Sequence, residues 1–192
     1  MSPTGPNPES RTDQELITEI NAGDASAFTV LYLRYRDWVV GLAYRFTGDR
    51  ELALDVMQET FMYLLGKFPG FVLTAQLKTF FYPVIRHLAI ASAQKSKRFG
   101  QDGKSVDGES ALEQVAGAND RVVGEDGDLA VVLGKLPVGQ REVILLRFVD
   151  DLSLQEIATA MGLPLGTVKS RLHLGLASLR ADPDAKKYFF PE

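Results

Sequence analysis

The stretch DLSLQEIATAMGLPLGTVKSRLHLGLASLR, residues 151–180, decides the fold. Ser153 and Glu156 have the spacing of a capping box, which starts a helix, and Gly162 is suited to end that helix because glycine accepts a positive φ. A second helix is predicted from about Leu165. Apolar side chains then recur every three or four positions, at Val168, Leu172, Leu176 and Leu179. Two helices joined by so short a turn predict a helix-turn-helix, whose second helix enters the major groove of DNA.

The second helix of this motif carries polar side chains near its N-terminal end. They are Thr167, Lys169, Ser170, Arg171 and His173. Arg and Lys reach guanine edges or phosphates, and Ser and Thr can bond to either. The competing interpretation is a plain helical hairpin with a solvated polar face. The capping box, the small Ala158 and the turn at Gly162 favour the DNA-binding motif.

Helical periodicity also runs through residues 12–98. Apolar side chains step by three and four along a long helix that starts before Phe28, and again from about Arg50 to Lys67. A third long helix is predicted from about Thr74 to Arg98, with a kink at Pro83, because proline removes a backbone donor. Strand-like alternation is nearly absent, so the fold class is all-α.

The charge of the chain is unevenly distributed. The net charge is −4, which argues against nucleic-acid binding because DNA-binding domains are usually basic. Residues 101–128, however, hold eight acidic and two basic residues, and the flanking parts are close to neutral. Six glycines in residues 99–127 indicate a flexible linker. The predicted domains are a disordered N-terminus (1–11), a helical domain (12–98), the acidic linker (99–127), a helix-turn-helix domain (128–181) and a C-terminal tail (182–192).

Several classes of protein are excluded by the composition. Cysteine is absent and the only histidines are His87 and His173, so we predict no metal site, no cofactor and no enzyme activity. Asp55 and Glu59 could bind a metal in principle, but nothing in the sequence completes a ligand set. The chain has no apolar run of about 18 residues, and its polar N-terminus is no signal peptide. We therefore expect a cytoplasmic protein with no membrane contact of its own.

Residues 136–172 resemble region 4 of the extracytoplasmic-function (ECF) sigma factors, which belong to the sigma-70 family of RNA polymerase sigma factors. The matching pieces are Leu136-Pro137, Gln140-Arg141-Glu142-Val143, Leu146-Arg147-Phe148, Glu156-Ile157-Ala158 and Gly166-Thr167-Val168-Lys169-Ser170-Arg171-Leu172. Similar helices occur in response-regulator output domains, so this half does not decide the family.

Residues 24–65 resemble region 2 of the same family, most specifically in the piece Asp55-Val56-Met57-Gln58-Glu59-Thr60-Phe61. Asp55, Gln58 and Glu59 share one helix face because they are three and four residues apart. A solvated face is the ordinary interpretation of such a patch. The resemblance implies instead that it binds the clamp helices of the large RNA polymerase subunit, where arginines would meet it.

Residues 77–98 match the promoter-melting helix of the family in outline. The resemblance implies −10 DNA binding by Phe80, Tyr82, Arg86, His87, Lys95, Lys97 and Arg98. Aromatic rings can stack on an unpaired base and basic side chains can bind phosphates, whereas Phe81 is as consistent with a core position. The helix departs from the family at Pro83, at His87 (usually Asn) and at Ala91 (usually Asp).

Together these resemblances imply a sigma factor that binds core RNA polymerase at the clamp and flap. It would direct promoter-specific initiation through the −10 element and, with its helix-turn-helix, the −35 element. The resemblance also implies an anti-sigma partner. The alternative is a stand-alone helix-turn-helix regulator with a helical sensor domain, which would bind DNA as a dimer without polymerase. The aromatic tail, Tyr188 to Phe190, is predicted either to dock on its own domain or to bind a partner.

Overall fold

A computed structural model describes the backbone of residues 11–100 and 127–189, and the side chains of residues 11–96 and 131–186. All regular elements in these residues are α-helices, which confirms the all-α fold class. They are α1 (Asp13–Asn21), α2 (Ala25–Thr47), α3 (Arg50–Leu65), α4 (Leu77–Gly100), α5 (Gly127–Gly134), α6 (Val138–Phe148), α7 (Leu154–Met161), α8 (Leu165–Ala181) and α9 (Pro183–Phe189). Nearly all of the predicted disordered N-terminus and flexible linker lies outside the described residues.

Local capping explains where the first helices begin and end. Thr12 forms a capping box with Glu15, whose carboxylate accepts a 2.7 Å bond from the Thr12 backbone amide. Asp49 caps α3 by accepting bonds from the amides of its first turn. Gly48, between α2 and α3, has a φ of 65°, a left-handed conformation that glycine adopts without strain. The second long helix therefore begins at Arg50, where the sequence predicts it.

Helices α1 to α4 form a bundle around an aromatic core. Phe81 is fully buried, and its ring packs edge-on against Phe61 at 5.5 Å and Tyr35 at 5.8 Å between centroids. Phe81 is thus a core residue. Pro83 lies within α4, which continues past it to Gly100.

Helices α5 to α9 form a second, smaller unit. The helix-turn-helix comprises α7 and α8. Ser153 and Glu156 make the predicted capping box, and Gly162 ends α7 with a φ of 65°. The start of the C-terminal tail forms α9, which packs on α5 and α8 with Ala185 buried, while Lys135 reaches Asp182 at 2.8 Å. The side chains of Tyr188 to Phe190 lie outside the described residues, so the two predicted roles of the aromatic tail stay predictions.

The two units pack directly against each other. One hydrophobic cluster contains side chains of both, with Ile85 and Ala89 of α4 beside Ile157 and Ala160 of α7. The sequence predicted two domains joined by a linker and gave no sign of this contact. It covers one side of α4 and leaves another side open, and this division determines which candidate site residues are accessible.

Candidate polymerase and nucleic-acid interfaces

The predicted polymerase-binding patch lies on the solvent face of α3. Asp55, Gln58 and Glu59 are all exposed, and neither carboxylate forms an ion pair with a described residue. The opposite face anchors the helix, because Val56 and Phe61 are buried in the bundle. The patch is therefore rigid, acidic and free to accept bonds from another protein.

Thr60 shows how sharply the two faces of α3 are divided. It sits next to Glu59 in the sequence, yet it is fully buried and its hydroxyl donates a 2.7 Å bond to the Val56 carbonyl. It contributes nothing to the surface of the patch.

A groove of about 760 Å³ opens between α3, residues 66–76 and the first half of α4. Phe80 and His87 line it together with Tyr63, whose ring is stacked on Phe80 at 6.1 Å with 23° between the planes. Phe80 is half-buried and His87 is exposed. The groove thus presents flat apolar side chains beside a polar one, a surface on which an unstacked base could lie.

Asn21 fixes the wall of this groove, and the sequence alone did not point to it. Its side-chain oxygen accepts bonds from the amides of Gly70 at 2.6 Å and Phe71 at 3.1 Å, and its amide nitrogen donates to the Phe71 carbonyl at 2.8 Å. Gly70 has a φ of 101°, which glycine tolerates best. The three bonds span about fifty positions of sequence, so no local pattern could have revealed them.

Two of the predicted −10 residues lie on the covered side of α4. Tyr82 is buried and Arg86 is half-buried, its Nε 3.4 Å from Oε1 of Glu142 on α6. Burial raises the pKa of Tyr82 well above its ordinary value. Burial also raises the pKa of Glu142, and Arg86 opposes that effect. In this conformation Tyr82 has no free surface for DNA, whereas the Arg86 side chain is still 37% exposed.

The remaining predicted −10 residues are at the end of α4. Lys95 is exposed. The side chains of Lys97 and Arg98 lie outside the described part of the chain. Among the described ones, Phe80 and His87 line the groove, and Tyr82 and Arg86 face the second unit in a pocket that His87 also lines.

The predicted −35 residues project from the first half of α8. Lys169, Ser170 and His173 are exposed, and Thr167 and Arg171 are half-buried. The Arg171 guanidinium lies over Gly139 of α6, where an added Cβ would be 2.8 Å from Nη1. The exposed side chains form a polar surface at the position where a recognition helix meets DNA.

Close packing holds α8 in place. Gly175 is buried against α6, and a Cβ at this position would come within 2.7 Å of Ile144 Cδ1. A larger residue here would require the end of the Ile144 side chain to shift. Leu174, beside His173, is 53% exposed and widens the apolar part of the surface.

Two further properties concern the described residues only. None of their helices is both long and apolar enough to cross a lipid bilayer. They contain no group of three or more acidic or histidine side chains arranged to hold a metal ion.

A helix-turn-helix with an exposed polar recognition face, joined to a helical bundle that has an acidic face and an aromatic groove, is typical of a transcription protein that binds both DNA and another protein. Two family models match the chain, "Sigma-70 region 2" at residues 31–99 and "Sigma-70, region 4" at residues 127–179. Together they span more than half of its length.

Curated relatives agree with these matches. The ECF RNA polymerase sigma factor SigW of Bacillus subtilis is 30% identical over 85% of this chain and 92% of its own. The RNA polymerase sigma-H factor of Pseudomonas aeruginosa is 30% identical over 83% of this chain and 88% of its own. The chain therefore belongs to the ECF group of the sigma-70 family, and its function is that of an RNA polymerase sigma factor. The matches do not favour the stand-alone regulator.

Solved structures show the same fold. CnrH, in its complex with the cytosolic domain of CnrY, gives a TM-score of 0.61 at 23% identity and covers 88% of this chain and 95% of its own. The sigma factor RpoE, in complex with the anti-sigma factor NepR from Bartonella quintana, gives 0.59 at 21% identity over 84% and 98%. At these identities the comparison concerns the fold alone.

Proposed function

We propose that this sigma factor binds the clamp of core RNA polymerase through Asp55, Gln58 and Glu59. The observation that carries this assignment is the exposure of these three side chains on one rigid face of α3, with both carboxylates unpaired among the described residues. A carboxylate that meets an arginine of a partner forms two strong, charge-assisted hydrogen bonds. The patch is thus built for a basic protein surface, and repels DNA.

The −35 element would be read by α8 in the major groove. Lys169, Ser170 and His173 are exposed at its first half, in the position of a recognition helix. Thr167 and Arg171 flank them, and the packing of Gly175 on α6 keeps the helix at a fixed angle. We also propose that the flap of the polymerase contacts this helix-turn-helix domain.

The −10 element would be bound as an opened single strand along α4. The groove beside Phe80, Tyr63 and His87 has the size and the aromatic lining to accept an unpaired base. Stacking of a base on an aromatic ring contributes about 1–3 kcal/mol. The basic side chains of α4, including Lys95, would hold the phosphates of the same strand.

The proposed role needs binding and no catalysis, so we assign no enzyme activity to the chain. It works in the cytoplasm, where polymerase and chromosomal promoters meet. Because the similar solved structures hold sigma factors bound to CnrY and NepR, we also propose an anti-sigma partner. Such a partner would displace the chain from core polymerase in a competition assay.

The experiment that tests the clamp assignment uses size exclusion and promoter-dependent run-off transcription with core polymerase. Asp55→Asn combined with Glu59→Gln should abolish co-elution and lower transcript yield at least tenfold, because both charge-assisted contacts are lost. Asp37→Asn is a matched control, since Asp37 is 86% exposed on α2, and it should behave like the wild type. Normal co-elution of the double variant would refute the assignment.

A further inference from the structure

Residues 70–75, between α3 and α4, form one wall of the groove beside Phe80, and residues 71–75 of this groove wall line it directly. The groove wall contains no helix or strand. The backbone groups of residues 72–75 make no hydrogen bond with any described residue. The position of the groove wall therefore has to come from contacts that other parts of the chain make with residues 70 and 71.

Asn21, the last residue of α1, supplies these contacts. Its side-chain oxygen accepts bonds from the amides of Gly70 at 2.6 Å and Phe71 at 3.1 Å, and its nitrogen donates to the Phe71 carbonyl at 2.8 Å. Residues 69–75 form no other hydrogen bond within the described part of the chain. A side-chain amide has both a donor and an acceptor, so Asn21 fixes the orientation of the Phe71 backbone as well as its position.

The conformation of Gly70 shows why the groove wall needs this support. Its φ is 101°, and glycine has access to many other backbone conformations. Apart from its chain neighbours, no heavy atom lies within 4 Å of the place that a Cβ would take at this position. Packing does not hold Gly70, so the bonds to Asn21 select its conformation.

Phe71 carries the effect of Asn21 into the groove. Its ring lies 5.0 Å from the Phe80 ring and 5.5 Å from the Phe68 ring, between centroids. Phe80 is the ring on which we propose that an unpaired base stacks. Asn21 therefore reaches the base site through a single intervening residue, although it is outside the groove itself.

We propose that Asn21 is a positioning residue for −10 recognition, which holds residues 70–75 in the shape that accepts one preferred base of the opened promoter strand. The inference rests on the proposed −10 function of the groove. The unbonded N–H and C=O groups of residues 72–75 can bond to a base edge, and such bonds distinguish one base from another. A displaced groove wall would leave stacking on Phe80 possible but would remove this distinction.

Hydrogen exchange of the full-length chain tests whether Asn21 holds the groove wall. The amides of Gly70 and Phe71 should be protected in the wild type, because both donate to Asn21. Asn21→Leu is similar in size but cannot accept these bonds, so exchange of the two amides should become roughly tenfold faster. Gln14→Leu, at an exposed position of the same helix, is the matched control and should leave both rates unchanged. Unchanged rates in Asn21→Leu would overturn the proposal.

Transcription by the complex with core polymerase tests the effect on recognition, with promoters that differ in one −10 base. A wrong base in a specific site commonly lowers affinity roughly tenfold or more, and the wild type should show such a preference at one −10 position. Asn21→Leu should reduce this preference to roughly twofold or less. Co-elution with core polymerase and dependence on the −35 element should stay at the wild-type level. A loss of transcript that is equal for all four bases would show a structural role only and would overturn the proposal.

Two further variants approach the groove wall by different routes. Asn21→Asp keeps an oxygen that accepts bonds from both amides, so it should retain their protection and most of the base preference. Gly70→Ala is strained at a φ of 101°, but its added methyl group meets no neighbouring atom. It should lower the base preference even if Asn21→Leu fails to fold. A wild-type preference in Gly70→Ala would contradict the proposal.

The same assays separate this inference from the functions on which it rests. A wild-type chain that does not co-elute with core polymerase would refute the clamp assignment and the inference together. Co-elution without any −10 base preference in the wild type would refute the groove assignment, and the inference with it. A wild-type preference that persists in Asn21→Leu would refute the inference alone.

Discussion

The two sides of α4 differ in what surrounds them, although both carry predicted −10 residues. On one side Phe80 and His87 line an open groove, and on the other Tyr82 is buried and Arg86 is partly covered where α6 and α7 approach. Between them Phe81 is fixed in the core. Residue type alone does not separate the three environments, because aromatic side chains occur in each. Position on the helix and the presence of the second unit decide which of them can meet DNA.

The largest effect is expected for Phe81, the residue of α4 that lies in the core. Phe81→Ala should lower the free energy of unfolding by about 3–5 kcal/mol, because it removes a fully buried ring. Chemical denaturation followed by circular dichroism measures the change. A loss below about 1 kcal/mol would mean that Phe81 is not packed as described.

Phe80→Ala should have a smaller effect, on promoter opening. Loss of one stacking platform costs about 1–3 kcal/mol, so run-off transcription with core polymerase should fall by roughly tenfold. Phe80→Trp keeps a flat ring and should retain most of the activity. Equal loss in both variants would show that Phe80 acts through packing against Phe71 and not through a base.

Lys169→Gln tests the exposed face of α8. Its effect on promoter affinity should be smaller than the effect of Phe80→Ala on transcription. It removes one phosphate or base contact, so the slope of promoter affinity against salt should fall by about 1 if the contact is to phosphate. The polymerase complex is titrated with promoter DNA at several salt concentrations. Lys186→Gln, on the exposed side of α9, provides the control and should leave the slope unchanged.

The smallest predicted effect is a pH dependence of the free energy of unfolding that comes from Glu142, which faces the covered side of α4. Burial raises the pKa of Glu142 above its ordinary value of 4.5, so the packed state binds this proton more tightly than the unfolded chain. The stabilisation that comes from protonated Glu142 is fully present below the pKa that this group has in the unfolded chain. It is lost as the pH rises through the pKa that the group has in the folded chain. Unfolding of the wild type and of Glu142→Gln between pH 4 and pH 7 should show this dependence only in the wild type. Parallel curves would contradict it.

What the sequence reveals depends on the range of the interactions involved. The helix-turn-helix was predictable because Ser153, Glu156 and Gly162 act within one or two turns. The solvent face of α3 was predictable because a helix repeats every 3.6 residues or so. Its role in polymerase binding stays a prediction.

The contact between the units could not be predicted in the same way. Trp38 and Arg45 meet Asp150 from more than a hundred positions away, and nothing near Asp150 in the sequence distinguishes it from the exposed Asp151. The same holds for Asn21 and residues 70–71. Charged residues that are buried by distant parts of a chain leave no local pattern.

The most direct test of the whole account compares promoter binding by the purified chain with binding by its complex with core polymerase. A promoter selected from a randomised library supplies the DNA, and footprinting gives the affinity. The account predicts strong protection of the −35 and −10 elements by the complex and little by the free chain, from which the polymerase is absent. A footprint of the free chain as tight as that of the complex would contradict it.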